Sequence, residues 1–151
     1  NKTKSLGSAA AAAVAAAFFS GCGGVPSRVH DGQVDSVVEQ EPNQGEYLLA
    51  IGIGASDPKL ATDTQRKALA RDAAIVKAQF ELLSMIKGVT IKGGVKVQRA
   101  LEADSTLESV IEEAIQGAEI VRSEFTSDNG CVVTMRLPKP RLERLMGMQF
   151  E

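Results

Sequence analysis

Apolar and polar positions recur along this 151-residue chain in blocks of different period. The first clear block is Tyr47–Gly54. Leu49, Ile51 and Ile53 fall on one face, and Leu48, Ala50 and Gly52 on the other. Both faces are apolar or small, which predicts a strand central in its sheet. The next block, running to about Met85, changes to a helical period. Leu69, Ala73, Val76, Phe80 and Leu83 recur at spacings of four and three, so this stripe is expected to face the core, with Arg66 and Asp72 on the opposite side. Two starts fit this helix. Asp57-Pro58 offers an N-cap and a first-turn proline, and Thr62 to Gln65 has capping-box spacing. Gly88 lies just past the end, where a C-cap belongs.

Val89 to about Gln98 reads as a second strand. Val89, Ile91, Val95 and Val97 alternate with Thr90, Lys92, Lys96 and Gln98, and Gly93-Gly94 interrupts the run as a bulge or a close backbone approach. Polar residues 98–104 read as a connection. Ser105 to Glu108 has capping-box spacing and opens a second helix. Its apolar positions are Leu107, Val110, Ile111, Ala114, Ile115 and Ala118, while Glu112 and Glu113 point outward. Glu119–Thr126 and Cys131–Leu137 flank Asp128-Asn129-Gly130, a strong hairpin signal. Pro138 and Pro140 end the last strand. Arg141 to Met148 is a short amphipathic helix with Leu142, Leu145 and Met146 on one side. The order β-α-β-α-β-β predicts an α+β fold in two layers: a small mixed or antiparallel sheet, two helices on one face, and a short C-terminal helix.

The N-terminal block has a different character. Lys2 and Lys4 precede an eleven-residue apolar run, Ala9–Phe19, and then Ser20-Gly21-Cys22. This is the pattern of a secretory signal peptide, and the run is shorter than the roughly 20 residues that span a bilayer. Small residues before a cysteine resemble a lipobox, so residues 1–21 are expected to be removed and Cys22 acylated. More than one acyl chain anchors stably, and Gly23 after the cysteine points to the outer membrane. Residues 22–45, with Pro26 and Pro42, read as a lipidated cysteine and a flexible linker. Such a linker spans roughly 25–30 Å, at about 5–6 Å × √n. Residues 46–151 form the domain.

Loss of Lys2 and Lys4 leaves 15 basic residues against 19 acidic ones in the 130-residue mature chain. That balance, with no Trp and a single Tyr, argues against a nucleic-acid partner. Cys131, alone once Cys22 is acylated, reads as a small core residue. The single histidine, His30, lies in the linker and gives no Cys–His pair. Gly52-Ile53-Gly54 lacks the third glycine of a dinucleotide fingerprint, Asp57 standing in its place. Its glycines read as a tight turn from strand to helix. Neither a phosphate loop nor a zinc-protease motif occurs. The expectation is a non-enzyme without cofactor or metal. Lys139, Arg141 and Arg144 form a small basic cluster that a ring neighbour or a peptidoglycan carboxylate could use.

Several strings resemble one family. They are the lipobox cysteine, Ala50-Ile51-Gly52-Ile53-Gly54, Arg66-Lys67-Ala68-Leu69-Ala70-Arg71-Asp72-Ala73-Ala74, Gly88-Val89-Thr90-Ile91 and Ile115-Gln116-Gly117-Ala118-Glu119-Ile120-Val121-Arg122 with its hairpin. Together, over about residues 48–146, they resemble the Lpp-twenty lipoproteins, and within them the flagellar branch. The resemblance implies an α+β domain without known catalysis. It also implies self-assembly into rings or disks at the outer membrane, beside other flagellar outer-ring proteins. The Ala-rich leader, Phe19 and Gly93-Gly94 depart from that pattern. If rings form, Gly93, Val95, Val97, Arg141, Arg144 and the second helix are the expected contacts. The alternatives are a general envelope lipoprotein that binds a protein or peptidoglycan, and an enzyme with a pocket near Gly52–Asp57.

Overall fold

A computed structural model describes residues 24–35 and 41–151. Cys22 and the leader lie outside the described residues. A small hairpin of β1 (Val29–His30) and β2 (Gln33–Val34) comes first. Then β3 (Glu41–Gln44) and β4 (Tyr47–Gly54) lead into the long helix α1 (Asp63–Lys87). A second small hairpin, β5 (Thr90–Ile91) and β6 (Val95–Lys96), runs into α2 (Val97–Ala103) and α3 (Thr106–Gln116). The chain closes with β7 (Glu119–Phe125), β8 (Cys131–Pro138) and α4 (Lys139–Met146). The main sheet has the order β3-β4-β8-β7, antiparallel throughout. This is the two-layer α+β fold expected, with β4 central.

The register explains the layering. Leu48 pairs with Leu137, Ala50 with Met135, Gly52 with Val133 and Gly54 with Cys131. Apart from the two glycines, these residues all belong to the main core cluster, which α1, α3 and α4 complete. The opposite face is largely buried too, at Leu49, Ile51, Val132 and Thr134. A strand buried on both faces is what the continuous apolar run of β4 implies. Cys131 is a fully buried core residue.

The helix that covers the sheet is turned away from the expected side. The buried residues of α1 are Ala70, Ala74, Ala78, Leu82 and Ile86. Most of the stripe expected to face the core is instead outside: Leu69 is 45% exposed and Val76 and Phe80 are each 64% exposed, and only Leu83, at its end, is half-buried against the core cluster. The cause lies in β4. A Cβ on Gly52 would stand 2.0 Å from the Ala74 carbonyl oxygen, and one on Gly54 would stand 2.0 Å from that of Ala70. The glycines therefore let the helix backbone rest directly on the strand, and only alanines fit in that gap. Their purpose is this close approach, not the tight turn expected of them.

Other departures are local. The first helix starts at the Thr62–Gln65 capping box, where both reciprocal hydrogen bonds form. Asp57 instead closes a turn, its carbonyl accepting from Leu60 N at 3.2 Å. The expected second strand folds on itself, because Gly93 and Gly94 take φ of +109° and +80° and make a turn. Its outer edge bonds to the C-terminal tail: Lys92 N donates to Gln149 O at 2.8 Å and Glu151 N to Thr90 O at 2.9 Å. Residues 97–103, expected to end that strand and form a connection, are helical. Ser105 is the N-cap position of α3 but its side chain makes no capping bond; Asp104 Oδ1 instead accepts from Thr106 N at 3.0 Å and Thr106 Oγ1 at 2.6 Å. These bonds hold the Asp104 carboxyl below its ordinary range. On α4, Leu142 and Met146 are buried but Leu145 is 43% exposed.

The presumed linker is partly built into the domain. Arg28 N donates to Glu124 Oε2 at 2.8 Å, Arg122 Nε to Val25 O at 3.1 Å, and Ser127 N to Gly32 O at 2.7 Å. Residues 24–35 therefore strap against β7, and residues 41–44 join the sheet as β3. Polar and charged cover at an edge strand of this kind discourages unwanted strand pairing.

Candidate interaction surface

The surface of greatest interest is the outward side of α1. At about 100° per residue, Val76 and Ala78 point in nearly opposite directions. The helix thus carries two apolar stripes, one of Ala70, Ala74, Ala78, Leu82 and Ile86 that is buried, and one with Leu69, Val76 and Phe80 facing solvent. Beside the outward stripe, α1 and α3 enclose a shallow groove of about 200 Å³, lined by Gln79, Phe80, Leu83, Glu112, Ile115 and Gln116. Apolar Phe80, Leu83 and Ile115 line it together with polar Gln79, Glu112 and Gln116, a mixture found in protein-binding patches. Large apolar side chains aligned on one exposed face are uncommon on monomers and mark interaction sites.

The residues singled out from the sequence are scattered. Gly93 lies in the exposed β5–β6 turn with nothing within 4 Å of where its Cβ would be. Val95 is 41% exposed and lies, with Lys96, Arg99 and Glu102, on a wide polar hollow of about 660 Å³. Val97 is fully buried in the core, so it cannot meet a neighbour. The Arg141 guanidinium donates from Nη1 to Gly117 O at 3.1 Å, tying α4 to the end of α3. Arg144 is exposed on the last turn of α4. The expected second helix, α3, lines the groove with Glu112, Ile115 and Gln116, but Ile115 is buried in the core together with Leu107, Ile111 and Ala114.

Two groups with potential chemistry are otherwise engaged. His30 Nδ1 lies 2.6 Å from Asp35 Oδ1 in the strap. Burial pushes the Cys131 thiol above its ordinary range, with Ser123 Oγ at 3.6 Å from its sulfur. That is the opposite of an activated thiolate. Among the described residues, no three His, Cys, Asp or Glu side chains converge on a metal-sized site. No helix among them is long and apolar enough to cross a membrane. At the far end of the sheet, Asn129 Nδ2 donates to Asp63 Oδ1 at 3.2 Å and Ser56 Oγ to Asp128 O at 2.7 Å. The Asp128 carboxyl is held below its ordinary range by the Thr126 hydroxyl and then by the Gly130 amide. These bonds fix the hairpin tip to the segment that leads into α1 and to its first residue.

No protein-family model matches the chain, and no curated protein matches it. The family resemblance therefore rests on the quoted strings alone. The outward stripe was present in the sequence at its 3.5-residue average spacing. The signal that separates it from the core stripe is the glycine pair in β4, which asks for alanine opposite.

Proposed function

We propose that this protein is a non-catalytic outer-membrane lipoprotein, held on the periplasmic face by acylated Cys22, whose domain works by assembly. In this reading, copies form a ring or disk of the flagellar basal body, in the manner of FlgP-like members of the Lpp-twenty family. They contact one another and other outer-ring proteins, and they support motility. Neither a cofactor nor nucleic acid enters the reading. The observation that carries the assembly part is the row of exposed large apolar side chains on α1, Leu69, Val76 and Phe80, on the side away from the residues that helix buries. The strings over residues 48–146 support the family part, and Ser20-Gly21-Cys22 after an apolar run supports the anchor.

Deletion of the gene, followed by imaging of basal bodies, tests the flagellar role. The expected result is loss of an outer ring and of swimming. Intact rings and normal swimming would sink it. The Cys22→Ser variant tests the anchor separately. It should leave the membrane fraction while its circular dichroism stays native, and a variant still anchored refutes acylation. The same apolar helix face also suits a different protein partner, so a general envelope lipoprotein is the second reading. Normal swimming after deletion, with acylated Cys22, favours it.

A further inference from the structure

We infer that the sheet face under the N-terminal strap is the side of the domain that lies against the bilayer, and that the outward stripe of α1 is kept off lipid. The inference rests on acylation of Cys22, proposed above, and adds which surface the anchored domain presents to the membrane. The strap's attachment points fix the face. Arg122 Nε donates to Val25 O at 3.1 Å, and the Glu124 carboxylate accepts from Ser27 Oγ and, at 2.8 Å, from Arg28 N. Arg122 is in register with Thr134, and Glu124 with Val132. Those two positions alternate with Cys131, Val133 and Met135, which join the buried residues of α1 in the main core cluster. Residues opposite one another on neighbouring strands share a face, and successive residues do not. The strap is therefore bonded to side chains on the face opposite α1. Ile53, paired with Val132 and 46% exposed, opens to solvent on that same face.

The length of chain between strap and anchor decides the orientation. Val25 follows Cys22 by three residues, and three residues reach at most about 10–11 Å when fully extended. A free linker over residues 22–45 would have allowed roughly 25–30 Å, so the strap removes most of that reach. For the α1 stripe to touch lipid, the domain would have to turn over. That would lift Val25 from the bilayer by a helix diameter, about 10–12 Å, and by the sheet between them as well. Together these exceed the tether. The domain can tilt about Val25, but it cannot turn over while the strap is seated. An exposed apolar helix face would otherwise be free to settle into a lipid interface. The strap thus reserves Leu69, Val76 and Phe80 for protein contacts, which agrees with the assembly reading. The acyl chains supply the adhesion, and the short tether supplies the direction.

Short-range quenching tests this with the full acylated chain on vesicles of phosphatidylethanolamine and phosphatidylglycerol, some of whose headgroups carry a nitroxide. The chain is kept at a surface density too low for self-association. Ile53→Cys and Val76→Cys are made separately and labelled with bimane, while Cys131, fully buried, escapes the label. Both sites are exposed, so both variants should keep native circular dichroism. Quenching at position 53 should exceed that at position 76 several-fold. A dozen Gly and Ser residues inserted after Gly24 add a flexible span of roughly 20 Å and should bring the two values together. Vesicle-bound chain quenched equally at both positions, or more at position 76, overturns the orientation and leaves acylation standing. A difference that survives the insertion also overturns the proposal, because the tether then does not set the direction. Chain that fails to float with the vesicles refutes acylation, and the proposal with it.

Discussion

Gly52→Ala is expected to destabilise the domain by about 3 kcal/mol, the upper end of what overpacking costs, and Gly54→Ala by a similar amount. The added carbon at position 52 would lie 2.0 Å from Ala74 O and 2.5 Å from Ala78 N. Both are backbone atoms of a hydrogen-bonded helix, so no side chain can rotate away to make room. The helix must withdraw as a body, and with it Ala70, Ala74, Ala78, Leu82 and Ile86 leave the sheet. Total stabilities of about 5–15 kcal/mol leave little margin for both changes, and the double variant should fail to fold. Gly88→Ala is the control. Its φ is −83° and the nearest atom to the new carbon is 3.5 Å away, so urea unfolding should shift by about 0.5 kcal/mol or less.

Ile111→Asp is expected to prevent folding, whereas Val110→Asp should leave the domain intact and only modestly weakened. The two residues are adjacent on α3, yet Ile111 is fully buried while Val110 is half-buried at the margin of the core. Removing a buried isoleucine costs about 2–5 kcal/mol, and burying a carboxylate in its place adds a desolvation penalty. Thermal melts followed by circular dichroism check the pair. Equal loss in both variants would mean that α3 is seated differently from the arrangement described.

Much of the fold could be read from the residues, because the signals were local. Tyr47–Gly54 has the bounds expected from its alternation. The Thr62 capping box forms, and the Asn-Gly signal correctly placed the β7–β8 hairpin, although the connection is the five-residue loop 126–130 with positive φ at Asn129 alone. The two errors of substance arose where the deciding partner was distant in sequence. Ranked by hydrophobicity, Leu69, Val76 and Phe80 outbid alanines for the core. Only the bare backbone of Gly52 and Gly54, some twenty residues earlier, makes alanine the residue that fits. Likewise, Val95 and Val97 continue the alternation of Val89 and Ile91. Positive φ at both Gly93 and Gly94 folds that run into a hairpin, and the edge of β5 bonds to the C-terminal tail instead of the main sheet.

The same errors concealed the surface. Leu69, Val76 and Phe80 were visible as a stripe, but a stripe on a helix is ordinarily taken for core. The residues chosen for contact were the glycine-flanked strand and the terminal arginines. Val97 proved to be core, and Arg141 a brace between α4 and α3.

The central claim is that α1 buries Ala70, Ala74, Ala78, Leu82 and Ile86 against the sheet and turns Leu69, Val76 and Phe80 outward. Urea unfolding of Phe80→Ala beside Leu82→Ala, at concentrations too low for self-association, tests it most directly. The arrangement described predicts that Leu82→Ala, which opens a cavity at a fully buried site, loses about 2–5 kcal/mol, while Phe80→Ala changes stability by about 0.5 kcal/mol or less. A loss of about 3–5 kcal/mol for Phe80→Ala, with Leu82→Ala near neutral, would place the large stripe in the core and contradict the account.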